Sequence, residues 1–177
     1  MAPQPPKASG PPASGGSEPA KRFAAKVRTE KVALAKEQLP ANFKRADLVV
    51  SDVEHGSHSF EARIFLNNPA ANAQTPLSAE HGYAGSFHIF GHGGCFGDVG
   101  HCEVNDRGKS PTDKRGPHPL TPIRKELTVT EPLRAVLQKG KLETVTLVPI
   151  AQGRPTGEDP AKEDVLRYTS VKLLTYA

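Results

Sequence analysis

The sequence predicts an all-β fold, an antiparallel β-sandwich of about six or seven strands over residues 46–177, with a tail and a short basic segment ahead of it. Three observations carry that prediction. Apolar and polar residues alternate with a period of two in several short runs, the arrangement that buries one face of a strand. These runs are rich in Val, Ile, Thr and Phe, which suit a pleated, half-buried surface. They are separated by loops rich in Pro, Gly, Asn and Asp, and only one helical pattern stands among them.

The elements follow in chain order. Residues 1–20, "MAPQPPKASGPPASGGSEPA", hold six prolines and almost no large apolar side chains. Such a composition does not offset the entropy of ordering a chain, and the segment is expected to be a disordered tail. Residues 21–45 carry eight Lys/Arg against two Glu. Phe23, Val27 and Leu34 fall at roughly helical spacing and Pro40 gives a stop, which predicts a basic helix or linker. "DLVVSDV" at 47–53 is the first strand of the sandwich. In "SFEARIFLNN", Phe60, Ala62, Ile64 and Leu66 alternate with Glu61 and Arg63. "YAGSFHIFGH" sets Phe87 and Ile89 against Ser86, His88 and Phe90. "LTPIRKELTVT" is a further strand, and "EPLRAVLQK" from Glu131 to Lys139 reads as a short helix stopped by Gly140. "ETVTLVPI" and "VLRYTSVKLLTY" close the chain as β-branched strands. The expected core includes Phe60, Ile64, Leu66, Phe87, Ile89, Val145, Leu147, Val171 and Leu173.

Charge and composition narrow the function. The 177 residues carry a net charge of +4, and the excess lies in residues 21–45, since residues 46–177 have 14 basic against 16 acidic side chains. Only Phe23 and Phe43 are aromatic among those basic charges and the apolar face is thin, so the segment is not read as a nucleic-acid binder. No run approaches the roughly 20 apolar residues of a membrane span, and the start lacks the basic-then-apolar pattern of a secretory signal. The default expectation is therefore a cytoplasmic protein whose two cysteines are thiols. No GxSxG, phosphate-binding glycine loop or paired acids at catalytic spacing is found, so no catalytic or organic-cofactor residue is assigned.

The densest chemistry lies in "GSFHIFGHGGCFGDVGHCEV", Gly85 to Val104. His92, Cys95, His101 and Cys102 fall within eleven residues, with His88 just before them. Thiolate and imidazole suit Cu(I) or Zn, and four such groups would satisfy a tetrahedral ion. Two other readings stand beside this one: a glycine-rich hairpin with solvated histidines, and a Cys95–Cys102 disulfide in an oxidising compartment. His88 and His92 have HxxxH spacing, which brings imidazoles together on a helix but leaves them about 13 Å apart on a strand. His55 and His58, in "HGSH", are read as turn residues, while His81 and His118 lie in loops.

Three of the strand patterns carry a resemblance. "SFEARIFLNN", "GYAGSFHIFGHG" and "ETVTLVPI", in that order, resemble the C-terminal β-sandwich domain of the type-3 copper proteins: tyrosinases, plant polyphenol oxidases and molluscan haemocyanins. The family's Lys-Phe-Asp-Val signature is matched here by Ser59, Phe60, Glu61 and Ala62, where the Phe and the acid agree and the outer two residues differ. Ala84 to Phe87 and Val145 to Pro149 match later strands of the family, and the resemblance spans roughly residues 58–177. It implies a β-sandwich that covers a dicopper site without performing redox chemistry. It also implies a partner, a type-3 copper oxidase domain in the same or a separate chain. The helical bundle that presents six copper-binding histidines in the family has no counterpart here. The expectation is a non-enzymatic accessory domain. The alternative is a copper-handling protein that binds Cu(I) through His92, Cys95, His101 and Cys102, with His88 in reserve.

Overall fold

A computed structural model describes residues 21–34, 43–93 and 119–177, together with Cys102 and Thr112. Eight strands form two antiparallel sheets: β1 Arg22–Ala24, β2 Arg28–Leu34, β3 Arg45–Val53, β4 Phe60–Leu66, β5 Tyr83–Ile89, β6 Ile123–Thr128, β7 Leu142–Gln152 and β8 Ser170–Tyr176. One helix, α1, runs from Thr130 to Lys139. Five strands make the larger sheet, in which β5, β4 and β7 lie side by side and both β1 and β2 pair with the far edge of β7. The smaller sheet has the order β6–β3–β8. The antiparallel sandwich expected from the alternating runs is the fold observed.

The main core lies between the sheets. Phe60, Ala62, Ile64 and Leu66 of β4 share one face and meet Leu48 and Val50 of β3, Phe87 and Ile89 of β5, and Val145 and Leu147 of β7. Val171 and Leu173 of β8 are partly buried against the same cluster. All nine residues expected in the core therefore contribute to it. Helix α1 closes one end, with Leu133 and Leu137 at i and i+4 turned inward. It is tied to β3 by the Val129 N–H to Ala46 C=O bond (2.8 Å) and by the Ala46 N–H donating to Thr130 Oγ1 (2.9 Å).

The described residues of the basic segment are not helical. They form β1 and β2, and the reason is tertiary. Along Arg28–Val32 the half-buried residues Arg28, Glu30 and Val32 alternate with exposed Thr29 and Lys31, which is strand period. The edge of β7 offers ladder partners from Arg22↔Gln152 to Leu34↔Leu142. The charges that suggested a solvated helix instead find distant partners. Arg28 pairs with Asp164, and the Tyr168 hydroxyl donates to Glu30 Oε1. Burial, and then the bond to Glu30, push the Tyr168 phenol well above its ordinary value. β1 and β2 thus belong to the same sheet as β4, β5 and β7. Residues 1–20, expected to be a tail, lie outside the described residues.

Pro149 sits inside β7 without breaking it. The Ala25 N–H donates to the Pro149 C=O (3.1 Å), so that the side of Pro149 lacking an N–H faces the passage from β1 to β2. The missing N–H removes only the reciprocal bond to the Ala25 C=O, at the point where β1 ends, and the ladder to β4 is untouched.

Candidate functional site

Antiparallel pairing decides which loops meet. Phe60 at the start of β4 pairs with Ile89 at the end of β5, so the turn preceding β4 must lie beside the residues following β5. The approach is close. A Cβ on Gly91 would stand 2.2 Å from the Ser57 carbonyl oxygen and 2.3 Å from that of His58, so only glycine fits. The Gly91 N–H donates to Ser59 Oγ (3.0 Å), the His92 N–H to the His55 C=O (3.0 Å), and the Gly93 N–H to the Ser57 C=O (2.8 Å).

This junction places five groups. The His55 and His92 rings are tilted by 54° with centroids 5.2 Å apart, and their Nδ1 atoms are separated by 3.3 Å. His55 Nε2 lies 2.9 Å from the Thr121 carbonyl oxygen. A carbonyl only accepts, so Nε2 of His55 carries the hydrogen and its Nδ1 presents a lone pair toward His92. His58 turns the other way. Its Nε2 is 2.9 Å from Glu163 Oε1, and the edge-on ring of Phe23 lies 5.4 Å from it. Burial raises the Glu163 carboxyl, but hydrogen bonds from Thr156 and the proximity of His58 lower it further, and the net shift is downward. Phe90, between the end of β5 and Gly91, projects outward and is 85% exposed, the most exposed large apolar side chain among the described residues.

The five residues named from the sequence as metal ligands are distributed as follows. His88 is exposed on β5 opposite Glu61. His92 lies past the end of that strand, against His55, so the HxxxH pair does not meet as it would on a helix. Cys102 is disulfide-bonded, and its carbonyl accepts from the Leu120 N–H (3.1 Å). Cys95, the chain's other cysteine, and His101 lie outside the described residues, as does His118. His81 holds Ser78 Oγ through Nδ1 (2.8 Å) in a short 3-10 turn. Among the described residues no group of three or more His, Cys, Asp or Glu is gathered to hold a metal.

Read from the sequence, His55 and His58 are turn residues, and both do lie in the connection before β4; what was not foreseen are their contacts to His92 and Glu163. A signal for them existed. Once β4 and β5 are recognised as an antiparallel pair, residues before Phe60 must face residues after Ile89. No signal pointed to Glu163, 105 positions beyond His58 in the chain.

A separate cavity of about 320 Å³ lies between α1 and the β4–β5 connection, lined by Asn67, Asn68, His81, Tyr83, Val136 and Lys139 among others. It holds no convergent set of catalytic groups. No helix among the described residues is long and apolar enough to cross a membrane.

No protein-family model matches the chain, and no curated protein matches it. Among solved structures it is similar to latent aurone synthase, a polyphenol oxidase, both from its natural source and recombinantly expressed. Each superposition has a TM-score of 0.41 at 13% identity and covers 92% of this chain. It covers 26% of the natural-source chain and 28% of the recombinant one, so this chain spans about a quarter of the length of those proteins.

Proposed function

We propose that this chain is a non-catalytic accessory domain that docks on and shields a type-3 copper, phenol-oxidising domain, in the same polypeptide or as a separate chain. One observation carries the reading. The three segments whose sequences resemble the family's C-terminal domain become three neighbouring strands, β5, β4 and β7, and one cross-strand row contains a residue from each. In that row Ala62 pairs with Phe87 on one side and with Pro149 on the other. Patterns up to 90 positions apart in the chain thus form one structural unit, as expected of a common domain rather than of chance strand composition.

The residues present do not fit a coupled dicopper centre. Helix α1 carries no histidine, and the described histidines sit on a strand, at its end and in turns. No redox step is therefore derived for this chain. The surface for contact is assigned to the junction end of the sandwich, where Phe90 is held outward by a backbone that Gly91 fixes against the 55–58 turn.

The copper-handling reading asks for two thiolates beside His92 and His101. A sulfur in a disulfide is not a thiolate, so with Cys102 bonded this reading applies only to the reduced chain. A chelator competition for Cu(I), comparing the reduced chain with a Cys95→Ser, Cys102→Ser variant, separates it from the accessory reading. Equal affinity removes the cysteines from any site.

The non-enzyme assignment has its own test. The purified chain supplied with copper and a catechol should show no turnover above that of free copper. Sustained quinone formation that is abolished by His88→Ala or His92→Ala overturns it.

A further inference from the structure

We infer that His55 and His92 form a two-imidazole chelate for a borderline divalent ion such as Zn²⁺ or Cu²⁺, a site that shares His92 with the cysteine-containing loop but needs neither cysteine, and that is independent of the accessory-domain reading. The argument is geometric. Two nitrogens each about 2.0–2.1 Å from a tetrahedral ion stand about 3.3–3.4 Å apart. The two Nδ1 atoms are 3.3 Å apart, on rings that diverge by 54° rather than stack.

The surroundings match a ligand set. Metal-binding histidines characteristically donate their second ring N–H to a backbone carbonyl or carboxylate, which fixes tautomer and ring orientation. His55 does so, with Nε2 2.9 Å from the Thr121 carbonyl oxygen, and its Nδ1 lone pair is thereby aimed at the partner ring. The His92 Nδ1, which also lies 3.5 Å from the His55 carbonyl oxygen, holds the hydrogen between the rings when no ion is bound. In the Nε2–H tautomer it presents a second lone pair, and an ion displaces that proton and sits about 1.2 Å off the line between the two nitrogens. The backbone holds both rings there. His92 N–H bonds the His55 carbonyl, and the glycine-only contact at residue 91 fixes the separation of the two segments. His55 is half-buried and His92 exposed, so the pair stands at the surface of the domain.

Imidazole without thiolate selects borderline divalent ions rather than Mg²⁺ or Ca²⁺. Binding would cross-link the β3–β4 turn to the end of β5, the region that carries Phe90. The ion would therefore stiffen the surface assigned to docking.

The test uses the full chain with its disulfide intact and Zn²⁺ alone as probe, titrated in competition with a chromophoric chelator. One equivalent should bind. His55→Ala and His92→Ala should each weaken binding at least tenfold, whereas His81→Ala and His88→Ala should leave it unchanged. Ring-nitrogen NMR of the unmodified chain gives a readout that does not depend on a variant folding. Zn²⁺ should move the Nδ1 resonances of His55 and His92 and leave His55 Nε2 protonated. Unchanged affinity in His55→Ala, or zinc-induced shifts confined to other histidines, overturns the site.

Discussion

The two sheets of this domain obey one rule and look different because of what lies behind them. In the three-stranded sheet, the edge strands β6 and, from Val171 onward, β8 alternate between half-buried and exposed residues, since one face packs on the core and the other meets solvent, while the central strand β3 is buried from Ala46 to Val50. In the five-stranded sheet, β7 is buried without interruption from Val145 to Ala151. Its second face is covered by a small cluster of Phe65, Ala71, Val148 and Ile150, onto which Ala24, Val27 and Tyr83 pack. A strand that alternates announces an open face, and one that does not announces two covered faces. The sheet covered on both sides is also the one that carries all three family-like motifs and the histidine junction.

The largest expected effect separates the two sides of that sheet. Phe60→Ala opens the core shared by both sheets and should cost about 3–5 kcal/mol of unfolding free energy. Phe65→Ala opens only the outer cluster. It should fall at the low end, about 3 kcal/mol, because a thin layer over the sheet collapses more readily onto a cavity. Denaturant melts that rank Phe65→Ala above Phe60→Ala would contradict the assignment of the main core to the space between the sheets.

Gly91→Ala is next. Its methyl carbon would stand 2.2 and 2.3 Å from two carbonyl oxygens, far inside van der Waals contact, so the β5 end must withdraw from the 55–58 turn. Overpacking of this kind costs about 1–3 kcal/mol. The His55–His92 contact should be lost with it, seen as altered ring-nitrogen shifts at both histidines. A variant with wild-type stability would mean the junction is loose.

Acid should act more gently and on both sheets. Asp47 in the smaller sheet is held below the ordinary carboxylate range by the Arg45 side chain and by Thr128, against the effect of its burial. Burial raises Glu61 of the larger sheet, but Arg63, Arg22 and Ser86 lower it more. Glu163 is lowered as described above. A carboxyl whose folded value lies below its unfolded one stabilises the fold at pH above the unfolded value, about 4, and that contribution is lost as pH falls through the folded value. The thermal midpoint should be flat from about pH 7 to 5 and decline below about pH 4. A midpoint that rises on acidification would reverse the sign for these three groups.

The smallest effect is expected from removing residues 1–20. A segment with six prolines and few large apolar side chains has little to bury, so the midpoint should stay within about 1 °C. A drop of several degrees would show that the segment is part of the fold.

The strands from residue 46 onward were legible because each needs only local information. "FEARIFL" and "YAGSFHI" state their faces in their own alternation, and "EPLRAVLQK" states its helix in the spacing of Leu133 and Leu137. The strands β1 and β2 were not legible. What makes Arg28–Val32 a strand is the free edge of β7 and partners at Asp164 and Tyr168, more than 130 residues away. Phe65 and Val148 were hidden for a related reason. They occupy the polar phase of an alternating strand, and only the fold shows that this face is covered as well. At the candidate site, the named cluster lay along one stretch of sequence, whereas the contact that formed joins His92 to His55 across two strands.

The proposed role is to cover an oxidase rather than to oxidise. It is tested most directly by adding the purified chain, in increasing amounts, to a polyphenol oxidase copper domain that lacks its own C-terminal domain, and following catechol oxidation. The account predicts saturable loss of activity, weakened by Phe90→Ala while the variant's fold is retained. Full activity at saturating chain, or equal inhibition by the Phe90→Ala variant and an unrelated β-sandwich, would contradict it.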